Sequence, residues 1–88
     1  LRAQAERDAL TGLPNRLALR QRLTDWHEHT DPAHRSLALM FIDLDDFKRI
    51  NDTLGHEVGD DVLAEIGQRL RSCLEQFEEE GMLARFGG

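Results

Sequence analysis

Residues 37–46 read LALMFIDLDD: six apolar residues, then three carboxylates in four positions. The apolar part, Leu37 to Ile42, has strand length and no polar alternation, the pattern of a central strand covered on both faces. Such a segment cannot stand alone. It requires neighbouring strands on both sides and apolar cover above and below, so an α/β layer architecture is the expectation. The acids at its exit, Asp43, Asp45 and Asp46, contribute nothing to that burial. They either solvate a loop and cap the next helix, or hold a cation.

Around this strand the remaining elements are set by periodicity. LRAQAERDAL is rich in helix formers and reads as the end of a helix arriving from upstream, over residues 1–9. TGLP breaks it, with Pro14 suited to the first turn of the next helix. From Asn15 to about His29, Leu19, Leu23 and Trp26 fall at i, i+4 and i+7. TDPAHRS is a loop. Beyond the acids, Phe47, Ile50 and Leu54 predict a short helix ended by Gly55. A longer helix is predicted from about Val58 to Phe77, with Val62, Ile66, Leu70, Cys73, Leu74 and Phe77 as its apolar stripe. EEEG is a polar turn, and MLARF begins a second strand that stops at the paired glycines. A two-stranded sheet is marginal, so the pattern reads as the first part of an α/β domain.

Composition narrows the chemistry. Seventeen acids against eleven Lys and Arg give a net charge of −6, which argues against binding a nucleic acid polymer. It leaves room for a single nucleotide held through a cation, because the metal reverses the local charge logic. The lone cysteine, Cys73, excludes an internal disulfide and a cysteine-based metal site, and its place in the stripe makes it a core residue. No apolar run is long enough to span a bilayer and no signal peptide opens the sequence. A cytoplasmic setting without membrane contact by this segment is therefore expected.

The candidate site gathers around the strand exit. Oxygen donors such as Asp43 and Asp45 suit Mg2+ or Mn2+, the competing reading being capping of the next helix. The N-terminus of the Phe47 helix offers unpaired N–H groups to an anion. Lys48 is in reach of a phosphate, or is a solvated charge pairing with Asp52 at i, i+4. Asn51 and Asp60 combine donors and acceptors that match the edge of guanine, although each is also an ordinary turn or cap residue. His56 comes after Gly55 at the start of the next helix, while His27, His29 and His34 flank a surface loop.

DALTGLPNR, FIDLDDFKRIND, GHEVGDDVL and the terminal ARFGG, in that order and spacing, resemble the GGDEF family of bacterial diguanylate cyclase domains from Asp8 to Gly88. The resemblance implies a nucleotide-cyclase or palm-like (ferredoxin-like) fold, an antiparallel sheet flanked by helices, of which residues 10–88 are the N-terminal part. It implies condensation of two GTP into cyclic di-GMP with release of pyrophosphate, in a homodimer aligned by an upstream sensor domain. By position, Asp43 and the Leu44 carbonyl match the metal ligands, and the backbone N–H groups of Asp46 and Phe47 match phosphate contacts. Asn51 and Asp60 match the guanine-reading pair, and His56 the substrate-side histidine. Asp45 matches the second Asp of the motif, a structural position. Asp8, Leu10, Thr11, Asn15 and Arg16 match the turn joining input helix to domain, expected to hold the fold and pass a signal without touching substrate.

The family signature continues past the paired glycines with two acids and Phe, and these 88 residues stop at Gly88, so by themselves they are expected not to catalyse. A catalytically inactive GGDEF module that binds GTP or a partner domain is the alternative. Many members also carry an R-x-x-D product-binding motif where this sequence has Glu78-Glu79-Glu80-Gly81. Acids in place of an arginine repel a phosphate. In the full-length protein, synthesis rates measured with Mg2+, GTP and rising cyclic di-GMP are expected to show no product inhibition of that kind; submicromolar inhibition would refute this.

Overall fold

The computed structural model describes residues 6–77 and 81–87. Helix α1 spans Arg16–His29, a 3-10 turn comes next at Pro32–His34, α2 spans Phe47–Leu54 and α3 spans His56–Glu75. Asn15 caps α1 by accepting from the Ala18 N–H at 3.0 Å. Leu19, Leu23 and Trp26 are its half-buried face, as their spacing predicts. At the other end Arg35 donates to the carbonyls of His27 (2.9 Å) and Thr30 (3.2 Å), satisfying oxygens that the last turn leaves free.

The packed centre lies at the turn that precedes α1. Leu13 is 5% exposed and Thr11 6%, and no other described apolar side chain is as enclosed as Leu13. Both rest on α3 at Gly67, where an ideal Cβ would stand 3.3 Å from Leu13 Cδ1 and 3.7 Å from Thr11 Cβ. Glycine inside α3 costs helix stability, and here it lets the turn approach the helix backbone. The same turn is tied to the last residues of the chain. Asp8 Oδ2 accepts from the Thr11 N–H (2.8 Å) and hydroxyl (2.7 Å), and the Thr11 hydroxyl accepts in turn from the Leu13 N–H (3.2 Å). Arg85 Nη1 donates to both Asp8 oxygens at 3.0 and 3.1 Å, and the Arg85 N–H donates to the Pro14 carbonyl at 2.9 Å.

Four expectations are corrected. The segment Leu37–Ile42 forms no strand ladder among the described residues: Met40 is 80% exposed and Phe41 71%. A strand exists only against a partner backbone, and the described residues offer this one neither a partner nor a two-sided cover. MLARF is likewise not a strand, although Met82 to Arg85 are half-buried against the turn. The helix expected at residues 1–9 lies outside the described residues up to position 5, and Glu6–Ala9 make a turn and an isolated antiparallel bridge, Arg7 to Pro14. There the Asp8 carboxylate takes the Thr11 N–H and hydroxyl, and such local bonding competes with a helix. Cys73 and Phe77 are exposed, not core, and the described chain returns at Gly81 against Leu74 instead. The radius of gyration, 15.2 Å, exceeds the roughly 12 Å of a compact chain this long, in keeping with so much apolar exposure.

Burial of Asp8 works against its charge, but the hydrogen bonds from Thr11 and Arg85 outweigh it and hold the carboxyl below its ordinary value. A carboxylate lowered on folding adds stability that is present above its unfolded pKa of about 4 and lost as pH falls through the folded value. Thermal unfolding of the full-length protein between pH 7 and 3 is expected to show this loss, and Asp8→Asn to flatten the profile. Arg85→Ala is expected to cost about 1–2 kcal/mol at pH 7 in the same assay.

Candidate functional site

Two chain reversals build the site. At the first, the chain leaves Ile42 and enters α2 through Asp43 to Asp46. Asp46 sits at the N-cap with φ 59°, ψ 16°, the one described non-glycine residue in the left-handed region, and its side chain makes no capping hydrogen bond. α2 has no acid in its first turn. These carboxylates make no side-chain capping hydrogen bond: Asp43, Asp45 and Asp46 are exposed, and Asp46 occupies the N-cap through its carbonyl, which accepts from the Ile50 N–H at 3.1 Å. A left-handed residue leading into a helix turns successive N–H groups toward one concavity, a geometry suited to anions. Phe47 is half-buried and Lys48 exposed on the next positions.

At the second reversal, Gly55 (φ 93°) closes α2 and opens α3 at once. Its N–H donates to the Asn51 carbonyl at 2.9 Å, and its carbonyl accepts from the Gly59 N–H at 3.1 Å. That double role starts α3 at His56, two residues before the predicted start. α2 and α3 pack on each other. Asn51 projects from the second turn of α2 to the first turns of α3, where an ideal Cβ on buried Gly59 would overlap its Oδ1. Asn51 Oδ1 is buried and has no hydrogen-bond partner. His56 and Asp60 are exposed on the same part of α3, Asp60 next to Gly59. The fold thus brings Asn51 to the α3 turns that carry His56 and Asp60.

A third group of residues joins the first reversal to the packed turn. The Arg16 guanidinium lies 4.2 Å over the Phe86 ring, and Phe86 meets Phe41 edge-on with centroids 5.5 Å apart. Phe86 thereby holds Gly87 beside the segment that leads to Asp43. Arg16, expected to serve the turn, grips the residue before the paired glycines. Sequence reasoning missed the Asp8–Arg85 pair, since 77 positions separate the partners. It also missed Gly59, although a glycine inside a helical pattern was a signal. Glu78–Glu80, which stand where many family members bind product, lie outside the described residues. A groove of about 370 Å³ is lined by Arg7, Leu13, Arg71, Leu74 and Met82 among others and by none of the candidate residues. The candidate site is an open surface.

The donors that the sequence offers a cation, the Asp43 carboxylate and the Leu44 carbonyl, are both hard oxygen. Among the described residues no three His, Cys, Asp or Glu side chains converge. Such a set fits Mg2+ or Mn2+ as an open site completed by water and phosphate oxygens, since Mg2+ is commonly held by one or two carboxylates. It does not fit a closed structural metal.

Residues 5–88 match the family model described as "Diguanylate cyclase, GGDEF domain". The chain belongs to the GGDEF family. It is 45% identical to the diguanylate cyclase TpbB of Pseudomonas aeruginosa over 97% of this chain and 19% of TpbB. It is 44% identical to the cyclic di-GMP phosphodiesterase NbdA of the same species, over 100% of this chain and 11% of NbdA. A solved structure of the GGDEF domain of TpbB superposes with a TM-score of 0.71 at 45% identity, covering 93% of this chain and 46% of that one. This similarity supports the cyclase-like fold, while the expected sheet is not formed among the described residues. The chain spans 10% to 24% of the length of the curated relatives it matches. No helix among the described residues is long and apolar enough to cross a membrane.

The left-handed N-cap generates a stability prediction. An L-residue held there costs about 1 kcal/mol, which Asp tolerates better than most and glycine avoids. Asp46→Gly is expected to raise the thermal midpoint and Asp46→Val to lower it, the two variants being compared by thermal unfolding.

Proposed function

We propose that residues 10–88 are the N-terminal part of a diguanylate cyclase domain that binds GTP. In this reading residues 1–9 lead in from a sensor domain. The observation that carries the reading is the α2–α3 joint, which seats the Asn51 amide against Gly59 on the α3 turns that carry His56 and Asp60. An amide beside a carboxylate combines the donor and acceptors that complement the edge of guanine. Asp60 accepts from the same base edge, and His56 faces the substrate. The N–H groups of Asp46 and Phe47 receive the phosphates, with Lys48 adding charge.

Asp43 and the Leu44 carbonyl hold Mg2+ or Mn2+ in this reading. The ion supplies charge neutralisation for the triphosphate and for the attacking oxygen. The reaction is phosphoryl transfer: the 3′-hydroxyl of each GTP attacks the α-phosphate of the other, and two pyrophosphates leave. With one nucleotide per protomer, the two reactants meet only in a homodimer. Cytoplasmic location is implied by the substrate.

A second reading is favoured by the relatives themselves. Identity to NbdA, PdeR and PdeB, named as phosphodiesterases, is 44%, 39% and 41%, close to that for the cyclases. In it, the same site binds GTP without condensing it and regulates a neighbouring domain. Titration of the full-length protein with GTP and Mg2+ tests what the two readings share. Asn51→Ala and Asp43→Asn are each expected to weaken GTP binding by about tenfold or more, the second only when Mg2+ is present, and ATP is expected to bind poorly. Unaltered GTP binding by both variants would sink both readings. Cyclic di-GMP formation by the unmodified protein then separates cyclase from regulator.

A further inference from the structure

We infer that Gly59 is a specificity-positioning residue: its missing side chain is the slot that seats the Asn51 amide, and the slot is what points Asn51 at the base. The inference rests on the guanine-reading role proposed for Asn51. Gly59 is one of two buried residues of α3, and both are glycines. The two differ in what they admit. At Gly67 an ideal Cβ meets only ordinary or slightly tight neighbours, Leu13 Cδ1 at 3.3 Å and Thr11 beyond it. At Gly59 the three nearest atoms to an ideal Cβ all belong to the Asn51 side chain, with Cγ at 2.8 Å and Oδ1 in outright overlap. Any residue but glycine therefore displaces Asn51 before any other side chain near it.

Helix energetics point the same way. Gly59 lies at the fourth position of a 20-residue helix, where alanine would be favoured intrinsically. Gly55 already provides the turn, with its positive φ, whereas Gly59 has an ordinary helical backbone that asks for no glycine. The remaining physical use of the missing Cβ is space. That space is filled by an amide whose oxygen has no partner in the protein. With the oxygen seated there, the rest of the amide takes its direction from the slot. The Asn51 carbonyl is meanwhile fixed by the Gly55 N–H, so the side chain swings from an anchored backbone and depends on the slot for its direction.

The test is a cycle of Gly59→Ala, Asn51→Ala and the double variant in the full-length protein, read by GTP titration with Mg2+ and by thermal unfolding. Gly59→Ala is expected to weaken GTP binding about tenfold or more, comparably to Asn51→Ala, and the double variant to bind no more weakly than Asn51→Ala. In unfolding, Gly59→Ala is expected to be harmful beside Asn51 and stabilising in the Asn51→Ala background, where the clash is gone and helix propensity is gained. Unchanged GTP binding by Gly59→Ala overturns the inference while leaving the role of Asn51 intact. Unchanged binding by Asn51→Ala instead removes the guanine reading on which it rests. Should Gly59→Ala fail to fold, the double variant decides: folding supports the slot, and a second failure overturns it.

Discussion

The Asp8 carboxylate organises the molecule because it is shared. One oxygen serves the Thr11 N–H and hydroxyl, and both oxygens serve Arg85, so a local turn and a segment 77 positions away are fixed by one group. Each hydrogen bond is modest by itself, but charge assistance and partial burial make the group expensive to leave unpaired. The Asp8 and Arg85 side chains are 20% and 23% exposed, between the surface pairs that contribute little and the buried pairs whose desolvation cancels their attraction. Leu13, the most enclosed apolar residue described, is seated by this arrangement, and Gly67 of α3 gives it room.

From this anchor the functional surface is reached in two steps. Arg85 carries Phe86 beside it, and Phe86 is held from one side by the Arg16 guanidinium and meets Phe41 on the other. The acids before α2 are thus linked, by packed side chains, to the turn that precedes α1. The second half of the surface hangs on Gly55 instead. Its positive φ lets α3 begin where α2 ends, and the tight joint places Asn51 against Gly59. The two halves differ: exposed carboxylates around a left-handed N-cap at one, a buried amide oxygen packed against glycine at the other.

Much of this was legible along the chain. The α1 stripe, Gly55 as a helix stop and the acids at the exit of an apolar run are all local statements, governed by residues a few positions apart. The candidate residues Asp43, Asp46, Asn51, His56 and Asp60 lie in motifs whose spacing survives into the structure as two chain reversals. What failed were claims about partners. Leu37–Ile42 has the composition of a buried strand, but burial and pairing belong to whatever lies against it, and Phe86 on Phe41 is only a fragment of such cover. Cys73 and Phe77 failed for the same reason at the far end of α3.

The sequence by itself determined the helices, their caps and breaks, the family and the candidate donor atoms, because these depend on periodicity and on side-chain chemistry at short range. Tertiary structure alone decided that Asp8 pairs with Arg85, that Asp46 enters α2 in the left-handed region without a side-chain cap, and that Asn51 fills the space Gly59 leaves. Those facts depend on distances between residues far apart in sequence or across a helix joint. Only the packed chain sets them, through the exclusion of overlapping atoms and the need of each buried polar group for a partner.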